Sequence, residues 1–216
     1  MTNQKQQTLI IGAHGKTGQI VCDLLKDSKT YQPVAMIRNK DQEDFFQKKG
    51  IKTVLGDLEK DFDSAFEGID RVVFAAGSGG STGKDKTITV DQDGAKKSIE
   101  HAKKHGVQKY VMLSAMGTEN PDPDSDIHHY LKAKHNADEY LKASGVHYTI
   151  VRPGALIDKS GSNKIEAAKH LNKKGEISRE NVALTLVEVL ESGVASNAYF
   201  DILDGSEPIA EAVSSF

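Results

Sequence analysis

The start of the chain restricts its possible architecture more than any other segment. Thr8-Leu9-Ile10-Ile11 is a continuous apolar run that stops at Gly12, and Gly12-Ala13-His14-Gly15-Lys16-Thr17-Gly18 follows with a GxxGxxG spacing. A helical pattern opens directly afterwards, with Ile20, Val21, Leu24 and Leu25 on one face. A short strand that is apolar on both faces belongs inside a parallel sheet. The glycines between it and the helix have separate tasks. Gly12 permits a tight turn, Gly15 lets backbone come close to a ligand, and Gly18 lets the helix pack on the strand. The first helical turn then offers unpaired N–H groups and partial positive charge, which suits the diphosphate of a dinucleotide. Thr17 adds a hydroxyl donor. A glycine turn that serves only packing is the alternative, and the strand-turn-helix context argues against it.

The same alternation continues. Short strands are expected at 34–37, 52–55, 71–75, 110–113, 147–151 and 199–203, and helices at 41–49, 62–66, 87–105, 127–144, 179–191 and 208–213. This rhythm predicts an α/β fold, a doubly wound parallel sheet of the NAD(P)-binding Rossmann type. With 216 residues, one domain spanning 1–216 is expected. Residues 155–178, polar and weakly patterned over most of their length, are read as a small C-terminal flap on the substrate side. The acidic stretch Glu119 to Asp126, with Pro121 and Pro123, reads as a loop and a candidate lid.

Several functions are set aside. A net charge of -3 without a basic patch argues against a nucleic-acid partner. No apolar run approaches the ~18 residues of a membrane span, and residues 1–7 lack the apolar core of a signal peptide, so a cytoplasmic, membrane-free protein is expected. The single cysteine, Cys22, sits among apolar helix positions and reads as a small core residue. His101 and His105, and the group His128, His129 and His135, lack the partners of a metal motif, so no metal is expected. Ser78-Gly79-Gly80-Ser81-Thr82-Gly83-Lys84 fails the spacing of a P-loop, and 78–86 reads as a loop beside the cofactor.

Arg38, twenty residues after Gly18 at the end of the second strand, decides the cofactor. An acidic residue there would accept from a ribose 2′-OH, whereas a guanidinium suits a 2′-phosphate and pairs with it in a bidentate way. The expected cofactor is therefore NADP(H), with Asn39, Lys40, His14 and Lys16 placed to assist. A solvated loop arginine is the alternative. Asp41, the first acid nearby, looks placed to cap the next helix.

Tyr130 and Lys134 form a YxxxK pair that shares one helix face. An ammonium near a phenol favours the phenolate, and such a tyrosine can exchange a proton with a carbonyl or hydroxyl. On these residues, together with Gly56-Asp57-Leu58, Ala75-Ala76-Gly77, Arg152-Pro153-Gly154 and Gly205-Ser206-Glu207-Pro208-Ile209, the chain resembles the atypical short-chain dehydrogenase/reductase superfamily, closest to its small NmrA-like, NAD(P)-binding members. The resemblance implies that Asp57 and Leu58 flank the adenine. It further implies that Ala75, Ala76 and Gly77 line the cofactor, that Pro153 and Gly154 border the nicotinamide, and that Lys134 holds the ribose. Ser114 is a third candidate catalytic residue. Met116 stands where catalytically complete relatives carry a hydroxyl, which leaves an incomplete catalytic set.

The expected activity is an NADP(H)-dependent oxidoreductase acting on a small carbonyl, quinone or flavin. A cofactor-sensing protein without turnover and a nucleotide-sugar-type epimerase are the alternatives. A small-molecule substrate and a monomer or homodimer complete the expectation.

Overall fold

The computed structural model describes residues 5–77 and 87–216. The loop expected at 78–86 lies outside the described residues. Among them, nine strands form one sheet: β1 (Gln6–Ile11), β2 (Tyr31–Ile37), β3 (Lys52–Leu55), β4 (Arg71–Phe74), β5 (Lys109–Leu113), β6 (Tyr148–Pro153), β8 (Lys164–Ala168), β10 (Ala198–Asp204) and β11 (Glu207–Pro208). Their spatial order is β11-β8-β10-β6-β5-β4-β1-β2-β3. The seven strands from β10 to β3 run parallel, and β8 and β11 pair antiparallel at one edge. The chain moves outward from β1 to β3, then returns to β4 on the other side of β1. That reversal opens a crevice at the carboxyl ends of β1 and β4, where open α/β sheets bind ligands.

The helices are α1 (Lys16–Lys26), α2 (Glu43–Gln47), α3 (Ala95–Lys104), α4 (His128–Ala143), α5 (Arg179–Glu188) and α6 (Ile209–Val213). Strand side chains alternate between the two faces. Ile10, Val73 and Val111 join the core beneath α1, α5 and α6, while Leu9, Ile11, Val72, Phe74, Tyr110 and Met112 join the core beneath α3 and α4. Cys22 is buried in the first of these cores, as its neighbours suggested.

Two local expectations are corrected, and one weakly patterned segment is given a strand. The helix expected over 87–105 begins as a wide π-type stretch, Thr87–Gly94, and becomes α-helical only at Ala95. Gly94 lies against Leu58, where a Cβ would stand 2.8 Å from that side chain. Asp41 does not cap the helix after β2. It falls inside the short 3₁₀ turn Lys40–Gln42, and Gln42 Oε1 instead accepts from the N–H groups of Arg38 (2.9 Å) and Asn39 (3.2 Å). The segment 157–175 is the one that is weakly patterned in sequence. It contains β8, which pairs with β10, and it lies between β7 (Ala155–Ile157) and β9 (Glu176–Ser178), which form a separate two-stranded parallel pair. Only Ile165 of β8 is buried, so the strand carries little apolar alternation to read.

Two buried cations tie the far end of the sheet to the end of α5. Arg71 donates to the Leu190 carbonyl and to Ser192 Oγ (2.7 Å), and Lys109 donates to the carbonyls of Glu191 (2.9 Å) and Val194 (2.5 Å). Burial, helped by the charge of Arg71, lowers the Lys109 ammonium to about 8. Among the described residues, no helix is long and apolar enough to cross a membrane.

Candidate functional site

The glycine turn is shaped by what surrounds it. Gly12 has φ +83°, and a Cβ there would lie 2.5 Å from the Ala76 nitrogen; a Cβ on Gly18 would meet the Gly12 carbonyl oxygen at 2.2 Å. Both contacts are with backbone, which cannot step aside. Gly15 is the N-cap of α1 and brings no side chain to it, and no acid stands in the first turn. The leading N–H groups of α1 therefore face the crevice without a capping oxygen. Gly12→Ala is expected to lower the melting temperature by about 6–12 °C, as for a loss of ~3 kcal/mol in a chain of this size. Gly68→Ala is the control: φ is +70° there but no atom lies within 4 Å, so only backbone strain of about 1 kcal/mol remains. A thermal melt of both variants checks this ranking.

Two cavities open along the carboxyl edge. The smaller, about 170 Å³, is walled by Gly12, His14, Gly15, Arg38 and Ala76, with the acids Asp57 and Glu59 and the apolar Leu58 and Val90 also on its wall. His14 packs edge-on against Phe45 at 5.6 Å between ring centres. Arg38 is exposed, and among the described residues no carboxylate is paired with it. Asn39 is also exposed, Thr17 is buried at the start of α1, and Ala75 and Gly77 flank Ala76 after β4. Lys16 leaves the turn to pair with Asp158, which also binds Arg179 at 2.5 Å. An uncapped helix start, an unpaired guanidinium and a glycine turn with no room for side chains fit a dinucleotide phosphate.

The larger cavity, about 720 Å³, is lined by Tyr130, Pro153 and Gly154, with Ser114 also on its wall. Its apolar wall comes from Ala115, Met116, Ile127, Leu131 and Leu156, and Glu119, Asn120 and Asp122 of the acidic loop also line it. Lys134 lies buried between the cavities. Its ammonium donates to the carbonyls of Ala76 (3.3 Å) and Leu113 (3.2 Å) and pairs with Asp91 at 3.3 Å. It stands 5.9 Å from the Tyr130 ring centre. Burial pushes the ammonium down, but the neighbouring Tyr130, Asp91 and Asp138 outweigh it and the net shift is upward.

One turn further along α4, Asp138 Oδ2 accepts from Ser114 Oγ at 2.7 Å and Thr118 Oγ1 at 3.1 Å. Burial raises Asp138 to about 6, against those two bonds and the charges of Lys134 and Arg152. Arg152 stands 3.0 Å from Asp201 and 3.5 Å from Glu119, donates to the Lys169 carbonyl at 3.0 Å, and lies over the Tyr199 ring at 4.6 Å. His170 approaches Glu119 at 2.9 Å. Asp201 is raised by burial, although the Leu171 N–H and Arg152 oppose the shift. His101 and His105, far from both cavities, each approach Asp63 at 3.0 Å.

The structure thus gathers Gly12, His14, Gly15, Arg38, Asp57, Leu58 and Ala76 at one cavity, and Ser114, Tyr130, Pro153 and Gly154 at the other. Lys16 and Lys134 are directed to protein partners. Asp91, Asp138, Asp158, His170 and Asp201 were not singled out from the sequence. Asp138 continues the 130–134 stripe by one turn, and Asp201 is a charge inside an apolar strand, so both left a readable signal. Asp91 left none, because the wide π turn that directs it inward has no recognisable pattern.

A family model described as NAD(P)H-binding matches residues 12–193. A Bacillus subtilis protein described as an uncharacterised sugar epimerase, YhfK, is 40% identical over 96% of this chain and 98% of its own length. Sanguinarine reductase of Eschscholzia californica is 29% identical over 100% of this chain and 95% of its own. The solved structure of a putative NAD-dependent epimerase/dehydratase from Bacillus halodurans superposes with a TM-score of 0.91 at 39% identity, covering 98% of this chain and 100% of that one.

Proposed function

The chain belongs to the NAD(P)H-binding family, as its likeness to small NmrA-like NAD(P)-binding proteins implied, and from that premise we propose an NADPH-dependent reductase of a small carbonyl, quinone or flavin. The observation that carries this reading is the unlike character of the two cavities on one sheet edge. The small one has a guanidinium unpaired among the described residues and an uncapped helix start; the large one is mainly apolar. When bound, the reduced cofactor supplies a hydride. The N–H groups of α1 hold the diphosphate, and Arg38 grips the adenosine-side phosphate. Pro153 and Gly154 exclude water from the nicotinamide side, and Met116, Ile127 and Leu131 shield a flat conjugated acceptor from solvent.

Tyr130 is the acid that remains available to that acceptor. The Ser114 hydroxyl is directed to Asp138, and the Lys134 donors go to Asp91 and two carbonyls. The test follows NADPH oxidation with menadione, 9,10-phenanthrenequinone and flavin mononucleotide. Turnover is expected, and Tyr130→Phe should slow carbonyl reduction by about 100-fold or more. Flavin reduction should change little, because hydride transfer to a flavin needs little acid catalysis. Tight NADPH binding without oxidation by any acceptor would favour the cofactor-sensing reading.

A second reading is supported by the 40% identical relative described as a sugar epimerase. An epimerase returns the hydride within each turnover, so nucleotide sugars would be interconverted with no net loss of NADPH. The polar rim of Glu119, Asn120, Asp122 and Asn172 can meet sugar hydroxyls, whereas the apolar wall around Met116 and Ile127 suits a flat acceptor, and the two readings are separated by net NADPH loss.

A further inference from the structure

Asp138 has no part in the proposed reaction, yet it controls the only hydrogen on the Ser114 hydroxyl. Ser114 follows β5 directly and lines the floor of the large cavity. A hydroxyl has one hydrogen to donate and two lone pairs to accept with. An ionised carboxylate only accepts, so the Ser114 hydrogen is committed to Asp138 Oδ2 at 2.7 Å, and the Thr118 hydrogen to the same oxygen at 3.1 Å. In that state Ser114 turns lone pairs toward the cavity. This is the wrong polarity for the oxygen of a carbonyl or quinone, which must accept.

We propose that Asp138 sets the hydrogen-bond polarity of the cavity floor: ionised, it makes Ser114 an acceptor, and protonated, it frees Ser114 to donate to a substrate carbonyl oxygen. The geometry fixes where the added proton goes. Asp138 Oδ1 is buried and meets no hydrogen-bond partner among the described residues, so a proton there would be an unsatisfied donor. On Oδ2 the proton points at Ser114 Oγ, the nearer of the two hydroxyls at 2.7 Å against 3.1 Å for Thr118 Oγ1. The bond then reverses, Asp138 donating and Ser114 accepting, and the serine hydrogen swings to the cavity. One proton is taken from solvent and no covalent bond between heavy atoms changes.

The surrounding charges leave this exchange within ordinary buffers. Lys134 on the same helix and Arg152 on β6 hold Asp138 down. Each is already shared with other carboxylates, Lys134 with Asp91 and Arg152 with Asp201 and Glu119. His135 is bonded to the Thr118 carbonyl at 2.7 Å, and Tyr130 lies two turns before Asp138. Burial outweighs them and brings Asp138 to about 6.

The inference rests on the reductase reading for the class of acceptor, so it is tested by binding rather than turnover. Protein saturated with NADP⁺ is titrated with menadione, which has no titratable group in this range, between pH 5 and 8. Wild-type affinity should rise about tenfold as pH falls through 6, the worth of one hydrogen bond correctly directed. Asp138→Asn offers Ser114 an amide donor, as the protonated acid does, and should hold the high affinity at every pH. Ser114→Ala should remain weak and flat, and it serves alone if Asp138→Asn fails a thermal melt. A wild-type midpoint that persists in either variant, or no affinity for menadione at any pH, would overturn the proposal. pH-dependent binding with no NADPH oxidation would remove the reductase reading and leave the polarity switch standing.

Discussion

Arg38→Ala is expected to weaken NADPH binding by about 30- to 100-fold and to leave NADH within about threefold of wild type. A bidentate, charge-assisted pair contributes ~2–3 kcal/mol, and each 1.4 kcal/mol is a factor of ten. The prediction is sharp because no carboxylate is paired with the guanidinium among the described residues, although Asp57 and Glu59 share its cavity, while Gln42 holds the backbone of Arg38 in place through its N–H. Lys16, the other cation of the turn, is engaged with Asp158 and cannot substitute without giving up that pair. The residue is exposed, so removing it should not change the melting temperature by more than about 1–2 °C. Fluorescence titrations of both nucleotides, with wild type and variant at one salt concentration, decide it. Equal wild-type affinities for NADPH and NADH would end the argument that Arg38 selects the cofactor. Added salt should also narrow the wild-type preference, since an exposed ion pair is screened.

The sequence made the frame legible because its signals are local. The 8–11 run, the glycine triplet and the helix pattern at Ile20, Val21, Leu24 and Leu25 all sit within twenty residues, and of that pattern Val21 and Leu25 are buried while Ile20 and Leu24 are half-buried. The edge strand β8 was not legible. One of its faces meets solvent, and its order comes from pairing with β10 rather than from its own pattern. The candidate site divides in the same way. Gly12, Gly15 and Arg38 were readable because a turn and a strand end fix them, and Asp57 came from the family resemblance. The charge network was not, because Arg152, Asp201, Glu119 and His170 come from four separate segments and meet only once the sheet is assembled. Ser114 shows the limit most clearly. Its position was readable, but the direction of its hydrogen depends on an aspartate 24 residues later.

Lys134→Met should cost about 3–5 kcal/mol, a fall of roughly 10 °C or more in melting temperature for a chain of this length. The reason is what the ammonium leaves behind. Asp91 and Asp138 are both buried, and each loses a nearby cation; the carbonyls of Ala76 and Leu113 lose a donor. Part of that loss is the penalty of buried carboxylates deprived of a neighbouring cation, so Asp91→Asn placed on top of Lys134→Met should recover some of it, and a double-mutant cycle in thermal or urea unfolding measures the coupling. Additive losses would mean that the 3.3 Å pair contributes little. The recovered double variant also separates the two roles open to Lys134. If the ammonium must leave one of its three partners to bond a cofactor ribose, the double variant should bind NADPH about tenfold more weakly than Asp91→Asn alone. If it only braces the edge between β4 and β5, the two should bind alike, and Tyr130 alone would then carry whatever acid catalysis the large cavity supplies.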